Sequence, residues 1–437
     1  MRDLLAPGFS PEPYWWRAVP REEGEAVPLP ARADVVVVGA GYAGLSAALP
    51  LARAGRSVCV VEARSAGWGA STRSVGMIGG RLRQGYAALA AKLGEGAALG
   101  LMHEARDAYA WFRHFVAEEG IDCHLQQSGR LICAWTPKDL SRLEGLARFL
   151  SARIGIPAEM LSQDGLRGEL DSELHHGAML LPEDGGLHPA LYHQGLLKGA
   201  RAAGVTVVPH TAVTAIERSG QGFQLDTAGG AGIAAGKVIL ATNAYTGRAL
   251  GWFHRRIIPV GSYMIATELL PRDLLDRLIP RQRLVNDTRQ LAYAFRRASD
   301  EDRLLIGGRA SARDHADPRK VAAGLHRIMR QTFPQLAGTR VSHAWGGMVA
   351  FTFDRLPRVG QHDGVHYVLG CNGSGVVMNT YLGRKAAAAV LGGEDARTGF
   401  ARAEFPTAPL YGGTPWFMPP LTLWYDARDR LARRVGR

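Results

Sequence analysis

The chain has 437 residues, more than one ordinary hydrophobic core accommodates, so two domains are expected. Hydrophobic residues make up 46% and charged residues 21%, which argues against a disordered or fibrous protein. Lys plus Arg number 52 against 40 Asp plus Glu, a formal +12 carried almost wholly by Arg; such a surplus admits nucleic acid, an anionic membrane surface, acidic substrates, or genomic base composition alone.

No apolar run approaches the roughly 20 residues that a membrane-spanning helix needs. The opening MRDLLAPGFSPEPYWW lacks the apolar core and cleavage site of a secretory signal. Cys59, Cys123, Cys133 and Cys371 are far apart, without a CxxC pair, and the histidines show no HExxH. A reduced, cytoplasmic protein without a metal site or disulfides is expected.

In chain order, residues 1–30 form a lead segment. Ala33 to Val38 is then a short β-branched run, the pattern of a strand buried on both faces. It enters Gly39-Ala40-Gly41-Tyr42-Ala43-Gly44, a G-x-G-x-x-G turn, followed by a helix to Arg53 and a second strand from Ser57 to Val61 that ends at Glu62. The first glycine permits the tight turn, the second lets backbone approach a pyrophosphate, and the third lets helix and strand pack closely. The helix N-terminus offers N–H groups to phosphate, and Glu62 is placed to bond ribose hydroxyls. Strand, glycines, helix, strand and acid in register indicate a dinucleotide site; the motif alone leaves NAD and FAD open. Pro50, inside the helix, removes a donor, so a kink or a packing compensation is expected.

After Glu62 comes Ala63-Arg64-Ser65-Ala66-Gly67-Trp68-Gly69-Ala70-Ser71-Thr72-Arg73, a loop rich in small and hydroxyl residues. With it the chain resembles the FAD-dependent amine and amino-acid oxidoreductases of the D-amino-acid oxidase type, whose Gly-x-Gly-Ala-Ser segment lies along the pyrophosphate and flavin. Further segments follow in family order: Gly185 to Ala190; Val205 to Val208 with Thr211 to Val213; Lys237 to Tyr245; Trp345-Gly346-Gly347; Thr352 to Gly360; and Tyr367 to Val376. Tyr14-Trp15-Trp16, Ser262 to Glu268 and Arg355-Leu356-Pro357 are similar to the gamma-glutamylputrescine oxidoreductase-like subgroup. The chain departs from that subgroup at Thr72-Arg73-Ser74-Val75-Gly76 and at Asn372-Gly373-Ser374-Gly375, both of which the resemblance places at the flavin.

The resemblance implies an α/β fold in which a Rossmann-like FAD-binding domain, over 31–100, 185–250 and 340–400, is interleaved with a mixed α+β substrate domain over 101–184 and 251–339. Residues 401–437 form a tail. It implies FAD contacts from Gly39, Gly41, Tyr42, Ala43, Gly44, Glu62, Ala63, Arg64, Gly69, Ala70, Ser71, Thr72 and Arg73. Val213, Thr242, Asn243, Gly346, Gly373, Ser374, Gly375 and Val376 complete the set. Relatives with covalent flavin carry their anchoring Cys near Trp345-Gly346-Gly347, where this chain has Gly347, so non-covalent FAD is expected.

The chemistry implied is oxidation of an amine or amino acid to an imine, with O2 or an electron acceptor reoxidising the flavin. Hydride transfer from a neutral amine to flavin N5 requires no protein base, and no His-Asp or Glu-Glu constellation is evident. Tyr263, Tyr293, Arg296 and Arg309 fall on strands of the substrate domain, where alternate residues would face the cofactor, and either Arg could clamp a carboxylate. The competing reading is an exposed strand face or a structural ion pair. Trp345 reads equally as a flavin wall or as core, and Arg73 as a flavin or a structural contact. His188, before Pro189, reads as a loop former. Leu421 to Tyr425 and the five Arg after them would pack on their own domain with the charges solvated, or lie on an anionic membrane surface. An FAD-dependent tRNA-modifying protein and a flavoprotein subunit without its own reaction are the alternative functions, although scattered Arg speaks against nucleic acid.

Overall fold

The computed structural model describes residues 4–19, 27–308 and 317–435. Two sheets organise them. In the first, Thr206–Val208, Val58–Val61, Arg32–Val38, Gly232–Leu240 and Val365–Leu369 lie side by side and parallel. An antiparallel flap, Val213–Ser219 with Gly222–Thr227, extends Gly232–Leu240, and Arg358–His362 adds an antiparallel edge.

The β-branched run forms the centre of this sheet because both of its faces find apolar partners. Val35 and Val37 point into a core shared with the helices Tyr42–Arg53, Pro189–Ala202 and Gly375–Leu391. Val36 and Val38 point into a second core with Val238, Leu240 and Tyr367. Pro50 does not end its helix, which continues to Arg53 with Leu49 and Leu51 buried on either side of it. The helices Tyr42–Arg53 and Gly375–Leu391 cross very closely, because a Cβ at Gly383 would land on the backbone carbonyl of Ala43.

The second sheet has nine strands, in the order Leu5–Ser10, Val341–Phe351, Ile258–Thr267, Leu304–Gly308, Ala294–Arg297, Leu284–Asp287, Arg130–Cys133, Gly177–Leu181 and Glu159–Ser162. The amphipathic helix Pro318–Thr332 covers it with Val321, Ala322, Leu325, Ile328 and Met329, the spacing of a helix face.

Three placements differ from the sequence reading. Val341–Phe351, expected with the nucleotide-binding segments, pairs along its length with Ile258–Thr267 in the second sheet. The helix Glu95–Glu118 begins before residue 101 and buries Leu101, Met102 and Ala105 in the core of the first sheet's helices. The lead segment is built in, through Leu5–Ser10 beside Val341–Phe351 and through buried Tyr14 and Trp15. After residue 400 the chain crosses the surface and ends in the helix Met418–Val435. No helix among the described residues is long and apolar enough to cross a membrane. The four cysteines are buried and free.

Candidate cofactor and substrate site

A cavity of about 780 Å³ is bounded by residues from both sheets. Its floor is the glycine turn. Gly39 has a φ of +109°, and a Cβ there would come within 2.9 Å of the Ala241 carbonyl oxygen. A Cβ at Gly44 would land on the carbonyl oxygen of Gly39, so its absence is what lets the helix sit on the strand. The N-cap residue of the helix Tyr42–Arg53 is Gly41, which has no side chain to occupy the space before the first turn and so leaves it suited to an anion. Ser71 fixes the turn: its Oγ accepts from Tyr42 N at 3.1 Å, and its carbonyl accepts from Tyr42 Oη. Glu62 lines the cavity while its carboxylate accepts from Ala40 N at 2.9 Å and Arg64 N at 3.1 Å.

Residues expected at the cofactor fall into two groups. Gly39, Gly41, Tyr42, Ala43, Glu62, Ala63, Arg64, Gly69, Ala70, Ser71, Val213, Thr242, Asn243, Gly373, Ser374, Gly375 and Val376 line the cavity. Gly44, Thr72, Arg73 and Gly346 lie behind that lining. Arg73 donates from Nε to the Trp68 carbonyl at 2.8 Å and from Nη1 to the Gly346 carbonyl at 2.9 Å. Its guanidinium sits over the rings of Trp16 and Trp68, at 4.7 and 4.6 Å. Thr72 Oγ1 donates to the Gly67 carbonyl and accepts from Trp16 Nε1 at 2.8 Å.

The substrate-pocket candidates lie elsewhere. Arg296 is buried, and its Nη1 donates to the carbonyls of Leu187 at 2.9 Å and Val75 at 3.1 Å. It is a backbone clamp rather than a carboxylate ligand, and burial lowers its pKa to about 10. Trp345 donates from Nε1 to the Arg73 carbonyl at 3.0 Å, on the far side of the loop from the cavity. Tyr263 and Tyr293 are buried in the core of the second sheet and do not line the cavity. Tyr263, Arg296 and Trp345 occupy interior strand positions whose side chains are covered by packing, although Met348 and Val349 farther along the strand of Trp345 do reach the cavity. Arg309 lies outside the described residues. His188 caps the helix Pro189–Ala202, its Nδ1 accepting from Leu191 N at 3.2 Å.

Cations absent from the sequence expectation line the cavity instead: Arg81, Arg83 and Arg130. Arg130 is held by buried Asp184, with Nε to Oδ2 at 2.7 Å. Arg81 Nε has no hydrogen-bond partner among the described residues. Burial lowers its pKa to about 10, with Arg130 adding to the effect and Asp184 opposing it. Arg83 is exposed at the cavity and lies over the Phe351 ring at 5.4 Å; the surrounding walls desolvate it and lower its pKa, with Arg355 adding to the effect. Both remain charged at neutral pH. The available signal was the run Gly79-Gly80-Arg81-Leu82-Arg83, in which two Arg alternate with a Leu that proves buried. Asp287 also reaches the cavity, but as the buried ion-pair partner of Arg289, with Nε to Oδ2 at 2.7 Å.

The glycine cradle, the uncapped helix N-terminus, the Glu62 carboxylate and the cavity's size together fit FAD. The family model for FAD dependent oxidoreductases (DAO) matches residues 34–389. Gamma-glutamylputrescine oxidoreductase of Escherichia coli K12 is 33% identical over 405 residues, spanning 91% of this chain and 93% of that protein. A probable oxidoreductase, OrdL, of Rhizobium meliloti is 29% identical over 98% of this chain and 99% of its own length. Among solved structures, glycine oxidase from Geobacillus kaustophilus superposes with a TM-score of 0.73 at 24% identity, covering 87% of this chain and 99% of that one. L-proline dehydrogenase from P. horikoshii shares the fold at a TM-score of 0.70 and 17% identity, over 90% and 99% of the two chains. The chain belongs to the DAO family of FAD-dependent oxidoreductases, and FAD is its cofactor.

Proposed function

We propose that the protein oxidises the C–N bond of an amine or amino acid that carries an anionic group, giving an imine that hydrolyses. The observation that carries this reading is the presence of Arg81 and Arg83 in the same cavity as the glycine cradle, with no carboxylate of the chain bound to either among the described residues. The names of the relatives, gamma-glutamylputrescine oxidoreductase and glycine oxidase, support an amine or amino-acid substrate.

FAD supplies the hydride acceptor, at N5. The chain supplies binding and orientation. A guanidinium fork clamps a carboxylate in a fixed plane, and in an enclosed site such a bond contributes about 1.5–3 kcal/mol. The same cations disfavour a protonated amine nearby, so they raise the fraction of neutral, reactive substrate. Ile78, Ile132, Met348 and Val349 line the cavity and limit water in it. Asp287 is committed to Arg289, which suits chemistry without a carboxylate base. O2, giving H2O2, or a separate acceptor would take up the two electrons lost by the substrate; peroxide yield per turnover distinguishes the two.

The test compares amines and amino acids with their amides or decarboxylated analogues. Acids should exceed their neutral analogues in kcat/KM by about ten- to a hundredfold, the equivalent of one charge-assisted contact. Equal values would refute the anionic clamp while leaving amine oxidation standing.

A further inference from the structure

The terminal helix Met418–Val435 has two unlike faces. Its inner face is held by the body of the protein. The carboxylate of Asp429 accepts from Gln290 N at 3.0 Å and Leu291 N at 3.2 Å, and its carbonyl accepts from Trp135 Nε1 at 3.1 Å. Met418 and Leu421 pack in a small apolar cluster with Ile258, Val260 and Tyr411.

The outer face is apolar as well, and nothing covers it among the described residues. Leu423, Trp424 and Leu431 are 71%, 53% and 60% exposed, and Trp416, just before the helix, is 69% exposed. Of the eight large apolar side chains exposed among the described residues, five lie between 410 and 431. An exposed cluster of this kind marks an interaction surface. Its charge is one-sided. Asp429 is turned inward, and Asp426 pairs with Arg430 at 2.6 Å. Arg428 lies over the Trp424 ring at 5.3 Å, and the sequence continues with Arg433, Arg434 and Arg437.

We propose that this face docks on an anionic lipid bilayer surface. Trp and Leu between arginines is the make-up of a helix that lies in the headgroup region, where apolar burial and attraction to anionic lipid add together. A second copy of the chain is a poorer occupant. Face-to-face contact would bring like-charged arginines together between two bodies of formal charge +12, whereas anionic lipid neutralises them. Because Asp429 grips Gln290 and Leu291, and the adjacent Ala292 lines the cavity, docking sets that wall of the site beside the bilayer. The inference does not depend on which amine is oxidised.

Sedimentation of the FAD-bound, full-length protein with phosphatidylcholine vesicles, with and without phosphatidylglycerol, tests it. Binding should require phosphatidylglycerol and should fall as salt rises from about 0.1 M to about 1 M, where the screening length shrinks from about 10 Å to about 3 Å. The double substitution Leu423→Asp with Trp424→Asp should lower the bound fraction by about tenfold or more, with flavin absorbance retained. Should that variant lose FAD, Arg428→Glu with Arg430→Glu gives the same reading through charge. No binding to either vesicle, or equal binding to both, would overturn the proposal. So would a concentration-dependent dimer in light scattering that the substitutions abolish, which would identify a second copy as the occupant.

Discussion

Two arginines, Arg296 buried and Arg81 half-buried at the cavity, show how one residue type serves different ends. Arg296 and Arg81 both have a pKa lowered to about 10, burial being the largest cause in each. Arg296 donates to the backbone carbonyls of Val75 and Leu187, and so ties the loop after Glu62 to the segment preceding the helix Pro189–Ala202. Arg81 faces the cavity, with no hydrogen-bond partner for its Nε among the described residues. Arg296→Met should therefore lower Tm and FAD retention, since it strands carbonyls worth about 1–3 kcal/mol each when unsatisfied, while KM in the holo fraction changes little. Arg81→Met should retain FAD and raise KM about ten- to a hundredfold for an anionic substrate. Thermal melts with and without added FAD, alongside steady-state kinetics, separate the two; the same KM increase in both variants would contradict these roles. Sequence alone could not tell these residues apart, because a strand position shows that alternate residues share a face but not what covers that face. The glycines were legible for the opposite reason. The positive φ of Gly39 and the approach of Gly44 to the Gly39 carbonyl are both dictated by a turn whose geometry is local.

At the level of elements, the lead segment acts as a strut. Trp15 Nε1 donates to the Ser74 carbonyl at 2.9 Å, Trp16 Nε1 to Thr72 Oγ1, and Arg73 lies over the rings of Trp16 and Trp68. Behind them, Tyr14 donates to Asp300 at 2.8 Å. The strut thus braces the rear of the loop whose front, Gly69 to Ser71, lines the cavity. Trp16→Ala removes a hydrogen bond and a cation–π contact together worth about 1–3 kcal/mol, so FAD affinity should fall about tenfold, as followed by flavin release on dilution. Unchanged affinity would show that the loop holds its shape without the lead. The strand–turn–helix–strand unit from Arg32 to Val61 could be read from the sequence because its periodicity and its glycines are contiguous. Leu5–Ser10 could not, since Pro7 and Gly8 weaken a strand that exists only by pairing with Val341–Phe351 more than three hundred residues away. Val341–Phe351 had the pattern of a strand but not of a particular sheet, a choice made by long-range pairing.

For the whole molecule, burial of histidines gives stability a dependence on pH. His343, bonded to Ser342 Oγ through Nδ1 at 2.9 Å, has its pKa lowered to about 4 by burial, with Arg303 and Arg17 contributing. Burial also lowers His326 and His366. A folded-state pKa below the unfolded value of about 6.5 means that the unfolded chain takes up protons first. The resulting stability is fully present above about pH 6.5 and is lost as pH falls toward 4, with His343 contributing on the order of 3 kcal/mol. Tm measured across that range should fall with acid, and His343→Asn should flatten the slope; an unaltered slope would place the acid sensitivity elsewhere. The fold gathers the glycine cradle from one sheet and its flanking helices, Arg130, Asn286 and Met348 from the other sheet, and Arg81 and Arg83 from the chain between, into one cavity. That convergence supports amine oxidation, and anaerobic titration of the purified yellow protein tests it most directly. With polyamines, N-methyl amino acids, D-amino acids and cyclic amines added one at a time, flavin absorbance should bleach with at least one compound that carries both an amine and an anionic group. Flavin that stays oxidised with every compound, yet bleaches with dithionite, would contradict the account.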